Sequence, residues 1–441
     1  MNTVGKKNTI LIISMLLSAA CYFALAYYTK REQSTLLFVF IGLAFIPYFY
    51  LIAFPSISNH HFKPLLFFAI LFRVLFIVAI PQLSDDYSRF IWDGRLIDAG
   101  INPFVYLPEQ IQEQQLLTGT ANSELFTNMN SPHYYSVYPP ILQAIFYISA
   151  KCSFNHNLVA IIIMRLFILL AEFGTYRYLL KLLDYLKLPK GNVFIYLLNP
   201  LVIIELSGNL HFEGVMLFFT IASLYYLLTY NLIYSSILFA FAFCTKMVPL
   251  VLLPLIIKKI GLKNGMIYSV VVGVVSTLLF LPFINQQLIT NIGSSVGLYF
   301  QKFEFNASIY YLARWVGFYI TGYNEIGIIG KLLPICSLLF ILLITLKHKP
   351  QNTDRLFFES TLMILFIYYL CALIVHPWYV SFLVLMSVFS NFRFALVWSA
   401  LILGSYLTYI NFPYKENLWW VGIEYTIVLI WFVVEQRRLR T

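Results

Sequence analysis

The chain has 441 residues, of which 60% are hydrophobic, 18% aromatic and 11% charged. Soluble domains carry about 25% charged residues, so the composition excludes a soluble globular protein and points to a membrane protein with many spans. The net charge of +10 is scattered over short loops, which excludes a nucleic-acid-binding face and suits loops lying against anionic lipid.

Taken in chain order, apolar runs that span or nearly span a bilayer fall at 8–28, 34–54, 64–82, 156–182, 190–207, 212–230, 232–244, 247–258, 264–283, 326–346, 356–375, 377–391, 394–411 and 418–436. Several are short and read as half-helices, so the expectation is an all-α bundle of roughly 12–14 passes. Lys6 and Lys7 precede the first run as in a signal peptide, but the run continues to Tyr28 and reads as a retained first span. No internal repeat or Gly/Ser linker divides the chain. Residues 1–441 therefore read as a single membrane domain with two elaborated outer loops, 82–138 and 284–325.

Within the first loop, 86–99 and 108–117 have the pattern of amphipathic surface helices. Pro139–Ala150 is too short for a comfortable span. Counting it as one would put Lys181, Lys187 and Lys190 outside, so it reads as a helix on or dipping into the outer face. With the amino terminus inside, the inner segments hold Lys6, Lys7, Lys63, Lys181, Lys187, Lys190, Lys258, Lys259, Lys263, Lys347, Lys349, Arg355, Arg393, Arg437, Arg438 and Arg440. The outer segments hold the acidic residues from Asp85 to Glu124, with Glu304 and Glu325. This is a positive-inside split, with Lys30 and Arg31 as its main exception. The five cysteines lack CxxC spacing and mostly lie in apolar runs, so they read as packing residues.

The densest charge is in S-D-D-Y-S-R-F-I-W-D-G-R-L-I-D, Ser84–Asp98, at the lip of a span. Ser84 could simply cap a helix. That does not explain why Asp85 and Asp86 stand at a membrane edge, where carboxylates are costly unless solvated, paired or used. Neighbouring carboxylates repel and burial raises a carboxylate pKa, which suits proton abstraction from a hydroxyl. Asp86 is the candidate base, Asp85 its neighbour, and Arg89, Asp93 and Arg95 are candidate substrate contacts.

Lys246, in C-T-K-M-V-P, reads as an unpaired charge between two short apolar runs. It either snorkels to the interface or holds an anion such as a lipid phosphate leaving group. If unpaired, its replacement by Met should relieve an insertion cost. In E-L-S-G-N-L-H-F-E, Glu205, Asn209, His211 and Glu213 are four polar groups between apolar flanks and candidate substrate or loop contacts, and a metal there lacks a zinc-like spacing. In H-P-W-Y, Trp378 and Tyr379 suit either an interfacial belt or a sugar-stacking face, and His376 could pair with a phosphate. In F-E-F-N-A-S-I-Y-Y, Glu304 and Asn306 are candidate acceptor contacts, with Arg314 a further candidate for the phosphate.

The run D-D-Y-S-R-F-I-W-D-G-R-L-I-D-A-G-I-N-P-F, then V-Y-P-P, N-P-L-V-I-I-E-L-S-G-N-L-H-F-E and T-K-M-V-P-L, resembles bacterial polytopic mannosyltransferases of the GT-C class. The likeness covers about residues 64–380. It implies a GT-C-like bundle, a sugar donor on a polyprenyl monophosphate and a site on the non-cytoplasmic side of the inner membrane. It also implies an aspartate base in the first outer loop, matched by Asp86, and a membrane-edge basic residue before a proline, matched by Lys246. The family's Gly-His-x-Asp reads Leu210-His211-Phe212-Glu213 here.

Together these readings predict an inverting transfer of a sugar, mannose favoured, from polyprenyl phosphate to a glycan or lipid acceptor. No cofactor is required, and a divalent cation is left open. Glucose, galactose or arabinose would leave the same motifs. A lipid or sugar transporter is the alternative. It should carry its key charges near mid-membrane and show paired broken helices, whereas these charges lie at the outer edge.

Overall fold

A computed structural model describes residues 3–440 apart from 302, 350, 352 and 411. Among the described residues the protein is all helical, with one isolated parallel bridge between Phe305 and Ile374. Among the described residues, six helices are long and apolar enough to cross a membrane: Thr9–Tyr27, Ser34–Ala53, Asn157–Tyr185, Leu262–Phe283, Ile326–Lys347 and Leu418–Leu439. The pair Lys190–Leu197 and Pro200–Gly208, bent by 54°, passes the same test only when taken together, as a broken span or a re-entrant loop, and four shorter apolar helices are found among the described residues. These four are Glu213–Leu228, Leu232–Phe243, Pro377–Ser387 and Phe394–Tyr409.

The chain forms two compact units. The first comprises Met1–Ser84, Ile168–His211 and Pro377–Thr441, and the second comprises Asp85–Phe167 and Phe212–His376.

In the first unit, the helix pair bends between Leu197 and Pro200. Pro200 lacks an N–H and disfavours helix at Asn199. Asn199 becomes a cap instead, accepting from the Val202 N–H at 3.3 Å while its amide donates to Ser399 Oγ at 2.9 Å. Near the bend, neighbouring helices add hydrogen bonds to the backbone. Tyr48 donates to the Ile195 carbonyl and Arg73 to the Leu197 carbonyl, both at 2.7 Å. Arg73 is buried and neutralised by Glu172 at 2.8 Å, and Glu172 also accepts from the Tyr196 hydroxyl. In a bilayer such a bend persists only where neighbours satisfy the backbone in this way. Beyond it the chain widens into a π-helical turn, Ile203–Gly208, which carries Glu205 to the end of the helix. Gly208 lies against Phe76, where a Cβ would come within 3.0 Å of the ring.

The positive-inside exception also lies in this unit. Arg31 sits 5.0 Å from the Tyr409 ring centre and 5.8 Å from that of Tyr414, with Glu32 3.3 Å away. Its charge is held by cation–π contact and an ion pair.

In the second unit, residues 86–152 hold the helices Asp86–Asp98, Pro108–Glu113, Thr120–Thr127 and Pro140–Cys152. The first and last pack face to face. Phe90 stacks on Phe146 with ring centres 4.8 Å apart, and Phe212 meets both rings edge-on at 5.4 Å. Gly94 is required at this crossing, because a Cβ would fall 2.2 Å from the Phe146 carbonyl oxygen. The glycine of W-D-G-R is thus a packing device. The segment 284–325, expected as loop, also contains helices, Leu288–Gln301 and Ile309–Thr321.

Candidate functional site

Asp85 occupies the cap position of the Asp86–Asp98 helix, the place expected for Ser84, and its side chain makes no capping bond. Asp86 is the first helical residue. Both are half-buried, and Asp86 Oδ1 accepts from Asn130 Nδ2 at 3.1 Å. A carboxylate at a helix start is favoured by the unsatisfied N–H groups there. Its position leaves Asp86 partly open.

Arg89, Asp93 and Arg95, expected as substrate contacts, are buried and engaged by the protein. Arg89 Nε donates to Asp93 Oδ1 at 2.8 Å, and Arg89 Nη1 reaches the carbonyls of Ser131 and Tyr134. Asp93 is fully buried and its other oxygen accepts from Ser136 and Gln143. Arg95 donates to Asn122, Asn157 and the Asn155 carbonyl. The physical reason is that i,i+4 spacing turns Arg89 and Asp93 onto one face, the face that meets the rest of the loop. These residues fold the loop around Asp86.

Lys246 is not unpaired. Its ammonium lies 2.6 Å from Glu213 Oε1, and Glu213, the first residue of the helix Glu213–Leu228, is buried. A lysine has three donors, and Glu213 is the partner found for Lys246 among the described residues. His376, half-buried in the loop 371–376, is held well below the ordinary histidine pKa, first by desolvation and then by the Lys246 ammonium. The imidazole is therefore neutral beside a cation. Lys246 is thus paired with Glu213, and His376 stands within reach of the ammonium's field.

The segment 284–325 reaches this site through backbone. The Phe305 N–H donates to the Leu373 carbonyl at 3.0 Å, and the Val375 N–H donates to the Phe305 carbonyl at 2.9 Å. The Phe305 ring lies 4.9 Å from that of His376. Glu304, expected as an acceptor contact, is taken by Arg314, Tyr310 and Asn324. Arg314, expected at the donor phosphate, is held by Glu304 and lies over the Tyr311 ring at 4.5 Å. Asn306 is fully buried with a positive φ of 46°.

In the first unit, His211 and Trp378 stack with ring centres 3.5 Å apart and planes inclined by 19°. His211 Nε2 stands 3.3 Å from Glu205 Oε2. Glu205 also accepts from Tyr406 at 2.8 Å and Asn209 at 3.3 Å, and Asn209 Oδ1 accepts from the Leu83 N–H. Tyr379 meets Trp378 edge-on. Asn209, His211, Trp378 and Tyr379 stand out in the sequence motifs, and the structure gathers His211 with Trp378. Glu205, which stands out in the same motif, organises them, whereas Tyr406, Gln143 and Ser136 do not stand out in the sequence. Glu205 and Glu172 inside apolar runs were the available signal, because an intramembrane carboxylate needs a partner.

Among the described residues, no three His, Cys, Asp or Glu side chains are gathered as a metal site requires. A sequence profile of the family described as "Alpha-(1->6)-mannopyranosyltransferase, N-terminal domain" matches residues 11–260. No curated protein and no solved structure gives a match.

Proposed function

The chain belongs to the alpha-(1->6)-mannopyranosyltransferase family, and from that membership we propose how this membrane glycosyltransferase works. Its donor is mannose on a polyprenyl monophosphate. Its acceptor is a glycan or lipid that presents a primary hydroxyl, the 6-position of a mannose in the linkage that the family description prints. The site faces the non-cytoplasmic side of the inner membrane.

Asp86 takes the proton of the acceptor hydroxyl. The oxygen then attacks the anomeric carbon, the carbon–oxygen bond to phosphate breaks, and polyprenyl phosphate leaves with the electron pair. Direct displacement inverts the anomeric centre, so an α product requires a β-linked donor. Lys246 receives the charge that grows on the leaving phosphate, and neutral His376 adds a hydrogen bond without adding charge. Asp85 tunes its neighbour.

The observation that carries this reading is the Lys246 ammonium, partly open beside Glu213 and His376 at the end of a membrane helix pair. A half-buried cation with spare donors suits a lipid phosphate, and no nucleotide-binding glycine loop accompanies it in the sequence. The test is transfer by membranes containing the protein, supplied in turn with radiolabelled polyprenyl-phosphate mannose, glucose, galactose and arabinose. Label should pass to acceptor from the mannose donor. Transfer from a nucleotide sugar but from none of these lipids would overturn the donor class.

A further inference from the structure

The helix Ile309–Thr321 has two unlike faces. On one, Tyr310 is fully buried, Arg314 is half-buried, and Gly317 lies close to Glu325 and Ile329. On the other, Leu312 is 69%, Trp315 71%, Tyr319 86% and Ile320 73% exposed. Spaced at i, i+3, i+7 and i+8, these form one continuous apolar stripe. A stripe of this size on a protein surface marks an interaction.

The neighbouring chain says what covers it. The helix ends at Gly322, which has a φ of 82°, and the chain turns into the membrane-length helix Ile326–Lys347. The packing of Gly317 against Glu325 and Ile329 shows that the short helix folds back along the first turns of the long one. Ile328, Leu332 and Ile335 are exposed on that long helix, so its apolar surface continues into the stripe. The stripe carries no charge. Its aromatic members are Trp and Tyr, the residues that settle at the level of lipid headgroups. Thirteen residues are too few to cross a bilayer, which needs about 20.

We propose that Ile309–Thr321 is an interfacial helix seated in the lipid leaflet at the outer end of Ile326–Lys347. Leu312, Trp315, Tyr319 and Ile320 lie among the acyl chains, while Tyr310 and Arg314 face the protein. Those two inward side chains hold Glu304, and the next residue, Phe305, is the one paired by backbone to 373–375 and packed on His376. The bilayer thereby anchors the segment that covers His376. The seat in lipid follows from exposure and chain geometry and holds whatever the donor is.

The test uses the full chain in liposomes, with its native cysteines replaced and one environment-sensitive fluorophore attached through Leu312→Cys, Tyr319→Cys or, as a reference in the first outer loop, Ser123→Cys. Quenching by spin-labelled phospholipid is compared with quenching by iodide present on both sides. Labels at 312 and 319 should be quenched several-fold more by the lipid-borne nitroxide than the label at 123, and shielded from iodide. Iodide quenching at 312 and 319 equal to that at 123 would show a solvent-facing helix and overturn the proposal. Protection from both quenchers would show a protein-covered face, such as a contact with a second copy, and would overturn it equally. Two label sites guard against one substitution that fails to fold.

Discussion

Lys246 Nζ lies 2.6 Å from Glu213 Oε1, while Glu213 Oε2 has no hydrogen-bond partner among the described residues. The pair changes what removal of the lysine should do. Lys246→Met leaves a buried carboxylate without its cation, and breaking such a pair costs about 3–5 kcal/mol. The variant should therefore unfold at lower temperature in detergent, where an unpaired lysine would have predicted the opposite. Lys246→Met combined with Glu213→Leu should recover most of the lost stability and still fail to use donor. A single Lys246→Met variant as stable as the parent would show that the pair contributes nothing.

Arg89 and Asp93 should behave as one structural unit. Asp93 is fully buried between Arg89, Ser136 and Gln143. Asp93→Ala and Arg89→Ala should each destabilise by about 3–5 kcal/mol. The double variant should lose much less than the sum, because each single change already strands the partner. Strict additivity in thermal unfolding would separate the two residues and return Arg89 to the substrate.

His376 gives a pH prediction. Its folded pKa is depressed below the ordinary 6.5, by burial first and Lys246 second. The sign comes from proton uptake: below 6.5 the unfolded chain binds a proton that the folded site resists. The contribution is therefore fully present above pH 6.5 and is lost as pH falls beneath it. His376→Gln should flatten the dependence of unfolding temperature on pH between about 4 and 6.5. An unchanged slope would place the titration elsewhere.

The order of helices was readable because hydropathy is a local property. Each of the fourteen apolar runs has a helical counterpart, and the helix expected at 86–99 is Asp86–Asp98, buried from Ser88 to Leu96 by the packing around it rather than lying on a surface. The helix Ile309–Thr321 inside 284–325 escaped because an amphipathic stripe of Trp, Tyr and Ile reads in sequence like an aromatic-rich loop. Pairings were less readable. Lys246 and Glu213 are far apart in the chain, and nothing in either motif names the other. Arg314 stands in the same stretch as Glu304, but only the folded chain shows that the two pair with each other. Gly94 was visible as part of a motif, but its reason, the Phe146 carbonyl, needs the fold.

The orientation is open to direct labelling. With both termini inside, Ser123→Cys should react with an impermeant thiol reagent in intact cells and Lys349→Cys should be protected. Both positions are exposed, so reactivity reports the side of the membrane. The reverse pattern would turn the protein over and move Asp86 to the cytoplasmic face.

The central claim is that Asp86 removes the acceptor's proton in sugar transfer from a lipid phosphate. The most direct measurement is single-turnover transfer from radiolabelled polyprenyl-phosphate mannose by purified protein in liposomes, comparing the parent with Asp86→Asn. Asparagine keeps the shape and the contact with Asn130 but cannot take the proton. The account predicts that donor binding survives and that transfer falls by about 10²–10⁴-fold, the usual worth of a general base, with a smaller loss for Asp85→Asn. Transfer by Asp86→Asn at the parent's rate would contradict it and leave that carboxylate a helix-end charge.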